Sequence, residues 1–165
     1  MENKMRLELS ALSVNEGFAR SAVAAFALSL SPSLTELSDI KTAVSEGVTN
    51  CIVHAYKTQS AENKIVIECL AEQEETGGTL HIKICDFGCG IEDVEKAITP
   101  FFTTLEDEER SGMGFTIMQT FTDGFSVSSE REKGTTLMMR KRLGAKPKFA
   151  SSDGLAIEEK ERVHA

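Results

Sequence analysis

No stretch of this chain stays apolar for anything near the ~20 residues that cross a bilayer, so no membrane partner is expected. The opening MENKMRLELS lacks the basic segment and apolar core of a secretory leader. Positive charge is scarce: 18 Lys and Arg face 26 Asp and Glu, a formal net charge of −8 with a pI near 5.0. That balance excludes the broad basic footprint of a phosphate-backbone binder, so no direct nucleic-acid partner is expected. Any anionic ligand has to rely on local Arg or Lys, a metal ion or a helix N-terminus. The four cysteines, Cys51, Cys69, Cys85 and Cys89, form no CxxC pair, and His81 alone lies near the last two, which argues against a zinc site. These absences fit a reducing, cytoplasmic setting. There is no internal repeat.

What the chain does have is the composition of an ordinary globular domain: 165 residues, 41% hydrophobic and 27% charged. Met5, Leu7, Leu9 and Ala11 alternate with polar residues as a strand. Ser13 and Glu16 have the spacing of a capping box for a first helix with Phe18, Ala22, Ala25, Phe26 and Leu28 on its apolar side. Two alternating runs, 64–70 and 79–86, read as a hairpin around two glycines, and 125–129 with 135–142 as a closing hairpin. A short helical turn covers 93–98, and a further helix starts at Met113. The pattern predicts an α+β fold, a two-layer sandwich with helices on one face of a mixed, mostly antiparallel sheet. The domain is expected over 1–145, with 146–165 a flexible tail lacking periodicity. The basic run Arg140, Lys141, Arg142, Lys146, Lys148 reads as a solvated strand end.

The longest regular stretch runs from Ser33 to Tyr56. Ser33 and Glu36 make a second capping box, and Leu34, Leu37, Ile40, Val44, Val48, Cys51, Ile52 and Ala55 fall on one helical stripe. The neighbouring line carries Glu46, Asn50 and His54 at i, i+4 and i+8. By itself that line is either a solvated face or three polar groups addressing one ligand. Two glycine-rich turns add to it. Asp86-Phe-Gly88-Cys-Gly90 follows a strand, and Arg110-Ser111-Gly112-Met113-Gly114 precedes a helix, whose N-terminal amides favour phosphate. Each turn taken singly is equally a plain structural turn. The phosphate loop G-x-x-x-x-G-K-[ST] is absent, the dinucleotide fingerprint fails for want of a third glycine and a preceding strand, and Asp86-Phe87-Gly88 has no HRD partner.

In order, E-x-x-x-N on a helix, D-x-G-x-G after a strand and G-x-G before a helix resemble the ATP-binding fold of histidine kinases, gyrase-type topoisomerases and mismatch-repair ATPases. LELSALSVNEGFAR, SEGVTNCIVHAY and PFFTT followed by ERSGMGFTIM bring the resemblance closest to the bacterial anti-sigma factor serine kinases, in their sporulation branch, over residues 1–143. The resemblance implies a protein serine kinase that uses ATP (with ADP as product) and Mg²⁺. Such a kinase inhibits an RNA polymerase sigma factor, phosphorylates an anti-anti-sigma protein, and forms a homodimer. It implies Asn50 as Mg²⁺ ligand, Glu46 as base for the attacking hydroxyl, and Asp86 as acceptor of the adenine amino group, with Gly88 and Gly90 beside the base. Gly112, Met113, Gly114 and Ser111 would meet phosphates, and Arg110 the transferred phosphoryl group. Thr103 and Thr104 would touch phosphate, His54 would line the nucleotide site, and Thr135 and Thr136 would lie near the base. Arg20 would dock a partner protein. Leu105 departs from the pattern, since relatives often have lysine there. A nucleotide-gated binding module is the alternative, as is a stress-response relative acting on a different sigma factor. Glu46 opposes the first, because a pure binder has no use for a carboxylate aimed at the γ-phosphate.

Overall fold

Alternation of apolar and polar residues places five strands in one sheet: β1 (Glu2–Ser10), β2 (Lys64–Gln73), β3 (Gly78–Asp86), β4 (Gly124–Glu130) and β5 (Gly134–Leu143). The computed structural model describes residues 1–99 and 113–144. The strand order is β1-β2-β3-β5-β4, and all four pairings are antiparallel, so the sheet is not mixed among the described residues. Each pairing joins strands that a short turn or a return across the helical layer can reach.

One side of the sheet is apolar. Leu7 and Leu9 of β1, Ile65, Ile67 and Cys69 of β2, Leu80, Ile82 and Ile84 of β3, and Leu137 and Met139 of β5 join the core. The opposite side carries charge. Arg6 stands directly across from Glu68, and Glu68 across from Lys83, with ion pairs of 2.5 and 3.1 Å linking three strands. Opposite charges in direct register reinforce the pairing, each by a few tenths of a kcal/mol to about 1.

Four α-helices are described: α1 (Glu16–Ala27), α2 (Leu34–Asn50), α3 (Val94–Ala97) and α4 (Gly114–Phe121). α1 and α4 both pack on α2. The expected Ser13 capping box does not form. A 3-10 turn over Ser13–Asn15 leads into α1, and the Glu16 carboxylate instead accepts from Arg20 and from Ser45 of α2. A guanidinium and a hydroxyl offer it stronger bonds than a single amide. The buried side of α1 is Ala19, Val23, Ala24 and Ala27, so Phe18 (56% exposed) and Leu28 (58%), expected on the apolar side, lie outside the buried one. The second box does form: the Glu36 amide donates to Ser33 Oγ at 3.2 Å and the Ser33 amide to Glu36 Oε2 at 2.6 Å. Along α2 the predicted stripe is buried from Ile40 onward, while Leu34 is 86% exposed at the first turn. α-Helical winding stops at Asn50, and Cys51–Ala55 form a single π-helical turn. Such turns recur where a helix meets a functional site.

Candidate functional site

The C-terminal half of α2, the turn after β3 and the start of α4 converge on one place. Glu46 and Asn50, one turn apart on α2, meet the first residue of α4. A Cβ added to Gly114 would stand 3.2 Å from both Asn50 side-chain termini and 3.3 Å from Glu46 Oε2. Glycine here lets the helix start, with its unsatisfied amides, come near these two groups without crowding them. Met113 is the residue just before it. Burial holds the Glu46 carboxyl above its ordinary value, and the charge of Glu16 across the α1–α2 contact adds to the effect. Glu16 is in turn bonded to Ser45 Oγ at 2.5 Å and to Arg20 Nη1 at 3.0 and 3.1 Å. Arg20 is thus already ion-paired, though its side chain is 44% exposed.

His54 does not continue the Glu46–Asn50 line on an unbroken α-helix, because the π-helical turn intervenes. Its carbonyl lies 3.3 Å from Cys89 Sγ. The same turn presents the Ala55 carbonyl to the amide of Cys89 at 2.8 Å, docking the turn that follows β3 onto the end of α2. Tyr56 secures the other side of that turn: its hydroxyl accepts from the Phe87 amide at 3.0 Å and donates to the Lys64 carbonyl.

Asp86 closes β3 and is 6% exposed. Its Oδ1 accepts the amides of Gly88 at 3.0 Å and Thr135 at 3.1 Å, and the Cys51 thiol lies near the same carboxyl. Burial pushes this carboxyl above the usual range, and the two amide bonds and the nearby Cys51 thiol partly offset it. Burial, and then the charge of Asp86, hold the Cys51 thiol well up, so it stays protonated. Glycine at 88 and 90 has an internal cause. A Cβ at 88 would lie 1.9 Å from the Ala55 carbonyl oxygen, and Gly90, at φ +71°, would place one 2.3 Å from that of Glu130. Close approach at these two positions is to the protein's own backbone.

Thr135 is buried beside Asp86, and its hydroxyl is 2.9 Å from Ser129 Oγ. Ser129 also accepts the Ile91 amide at 2.7 Å and donates to the Gly134 carbonyl, so it ties the turn after β3 to β4 and β5. Sequence reasoning missed Ser129, although a serine follows Phe125 and Val127 at the period of the inward face. It also missed Glu16 as a neighbour of Glu46 and Cys51 as a neighbour of Asp86, because these contacts join elements far apart in the chain. Thr136 points the other way, within 3.5 Å of Cys85 Sγ. Thr103, Thr104, Leu105, Arg110, Ser111 and Gly112 lie outside the described residues, as does the tail 146–165.

The donor set suits a nucleotide with a hard cation. A buried carboxylate can accept an amino group, and a carboxylate and a carboxamide sit beside helix-start amides. No group of three or more His, Cys, Asp or Glu able to hold a metal occurs among the described residues.

A family pattern described as a histidine kinase-like ATPase domain matches residues 9–141. A protein of Clostridium botulinum (strain Eklund 17B / Type B) named Anti-sigma F factor is 52% identical over 86% of this chain and 96% of its own. The protein of that name from Clostridium perfringens (strain ATCC 13124) is 48% identical over 87% and 99%. That from Thermoanaerobacter sp. (strain X514) is 51% identical over 87% and 96%. Among solved structures, the RsbU and RsbW domains of a Mycobacterium tuberculosis protein superpose with a TM-score of 0.59 at 17% identity, covering 86% of this chain and 32% of that one. This last match speaks for the fold alone.

Proposed function

The chain belongs to the anti-sigma F factor family of histidine kinase-like ATPase domains, and from that membership we propose that it is an anti-sigma factor and an Mg-ATP-dependent protein serine kinase. It holds a sporulation sigma factor of RNA polymerase inactive and phosphorylates a serine of an anti-anti-sigma protein, acting in the cytoplasm as a homodimer. The observation that carries the kinase reading is the meeting of Glu46, Asn50 and the start of α4 at Gly114.

In this reading the adenine amino group donates to the Asp86 carboxylate, whose Oδ1 is already fixed by two backbone amides. Thr135, Gly88 and Gly90 keep that end of the site in shape, and His54 lines it. The amides of Met113 and Gly114 face the phosphates, where their partial positive charge favours an anion. To the phosphate contacts this reading adds Gly112, Ser111, Thr103 and Thr104, with Arg110 meeting the charge that develops on the transferred group. The Asn50 carboxamide oxygen would hold Mg²⁺, which when bound offsets phosphate charge. Glu46 accepts the proton of the substrate serine as its oxygen bonds to the γ-phosphorus and the bond to the β–γ bridging oxygen breaks, releasing ADP. Arg20, half-buried on α1 one turn from Glu16, receives the protein partner.

Transfer of labelled γ-phosphate to a purified anti-anti-sigma protein tests this. Wild type should label serine. Glu46→Ala should lower the rate by about 10²-fold or more, as loss of a general base does, with ATP binding retained. Asn50→Ala should lose Mg²⁺-dependent binding. Tight ATP binding by wild type with no labelling would leave a nucleotide-gated binding module as the better description.

A further inference from the structure

β5 breaks its own pattern at Lys141. Thr135, Leu137, Met139 and Leu143 turn toward the helical layer, and Lys141 shares their side of the strand, 9% exposed. It is not the solvated strand end that the basic run suggested. Its ammonium donates to Asp39 Oδ2 of α2 at 2.9 Å and to the Phe121 carbonyl, the last of α4, at 2.8 Å. Asp39 is itself only 22% exposed.

Burying this charge brings little net stability. Replacing a buried ion pair by apolar residues of similar volume is often neutral or favourable, and a methionine would extend the Leu137–Met139–Leu143 surface. What the ammonium supplies is a fixed relation among three elements. α4 is eight residues long, about 12 Å at 1.5 Å per residue, and runs antiparallel to α2. Its first residue abuts Glu46 and Asn50. Its last carbonyl is held through Lys141 to Asp39, seven residues before Glu46 on the same helix. A cation at the C-terminus also suits the helix dipole. Both ends of α4 therefore rest on α2, one at the candidate phosphate site and one at the lysine. Met118, fully buried between them, fills the contact.

We propose that Lys141 is a positioning residue for the nucleotide site: by clamping the C-terminus of α4 to Asp39, it fixes the height of α4 along α2 and so the position of its N-terminal amides. This rests on the nucleotide reading given above. Loss of the clamp acts at the phosphate end of the site and leaves the Asp86 end untouched, because Asp86, Thr135 and the turn after β3 are joined to each other and to α2 by bonds that do not involve α4.

Calorimetric titration of the full chain with Mg-ATP and with adenosine separates the possibilities. Lys141→Met and, as a second variant that keeps the lysine, Asp39→Asn should each weaken ATP by about tenfold or more, the size of effect that coupling residues exert at a distance. Adenosine affinity should stay at the wild-type value. The double variant Lys141→Met/Asp39→Leu, with no unpaired charge left, should melt near wild type yet keep the ATP defect. Equal weakening of ATP and adenosine, or no weakening of either, would overturn the proposal. Failure of the wild-type chain to bind ATP at all would overturn the nucleotide reading itself, and it is seen without any variant.

Discussion

At neutral pH the Glu46 carboxyl is pulled two ways. Burial and the nearby Glu16 favour its protonated form, whereas the general-base role proposed for it requires the ionised one. The acid limb of the transfer rate should therefore lie above the ordinary carboxyl value of 4.5. Glu16→Gln removes the neighbouring charge, so a pH–rate profile should show that limb displaced to lower pH, and an unmoved limb would refute the coupling. The sign for stability follows from the same shift. A folded-state pKa above the unfolded one contributes stability at low pH, and that contribution is lost as pH rises through the folded value. Glu46→Gln should then melt higher than wild type at pH 7 while losing transfer activity, the expected trade at a functional carboxylate.

The helices show how one local motif can have two outcomes. Ser33 and Glu36 form both bonds of a capping box, and Ser33→Ala should cost about 1 kcal/mol in denaturant unfolding. Ser13 and Glu16 have the same spacing, yet Glu16 is engaged by Arg20 and Ser45. Ser13→Ala should stay within about 0.5 kcal/mol of wild type, as surface changes usually do. A drop equal to that of Ser33→Ala would mean that the first box forms after all. Spacing was enough to foresee α2, whose box and buried stripe both act within one helix. It was not enough for α1, where the choice of partner rests on a residue 29 positions away, nor for the change of winding at Cys51, which accompanies the docking of Cys89 on Ala55.

For the whole molecule, the relatives are covered to 96–99% by about 142 residues of this chain. We expect residues 1–145 to suffice for the ATPase domain. A chain ending at 145 should melt within a few degrees of full length, on the order of 1 kcal/mol, and bind Mg-ATP equally, both measurable by calorimetry. Alternation and helical periodicity determined the five strands, the two hairpins, α2 and the side of the sheet that is buried, because each depends on residues two to four apart. The order of E-x-x-x-N, D-x-G-x-G and G-x-G was likewise in the sequence, and with it the family. Only the tertiary structure decided which groups meet. It gave Glu16 to Glu46, Cys51 and Thr135 to Asp86, and Ser129 to the turn after β3. It also assigned glycine at 88 and 90 to backbone packing and buried Lys141 between α2 and α4. A hydrogen bond or an ion pair is satisfied by proximity in space, and chain spacing carries no record of a partner a hundred residues away.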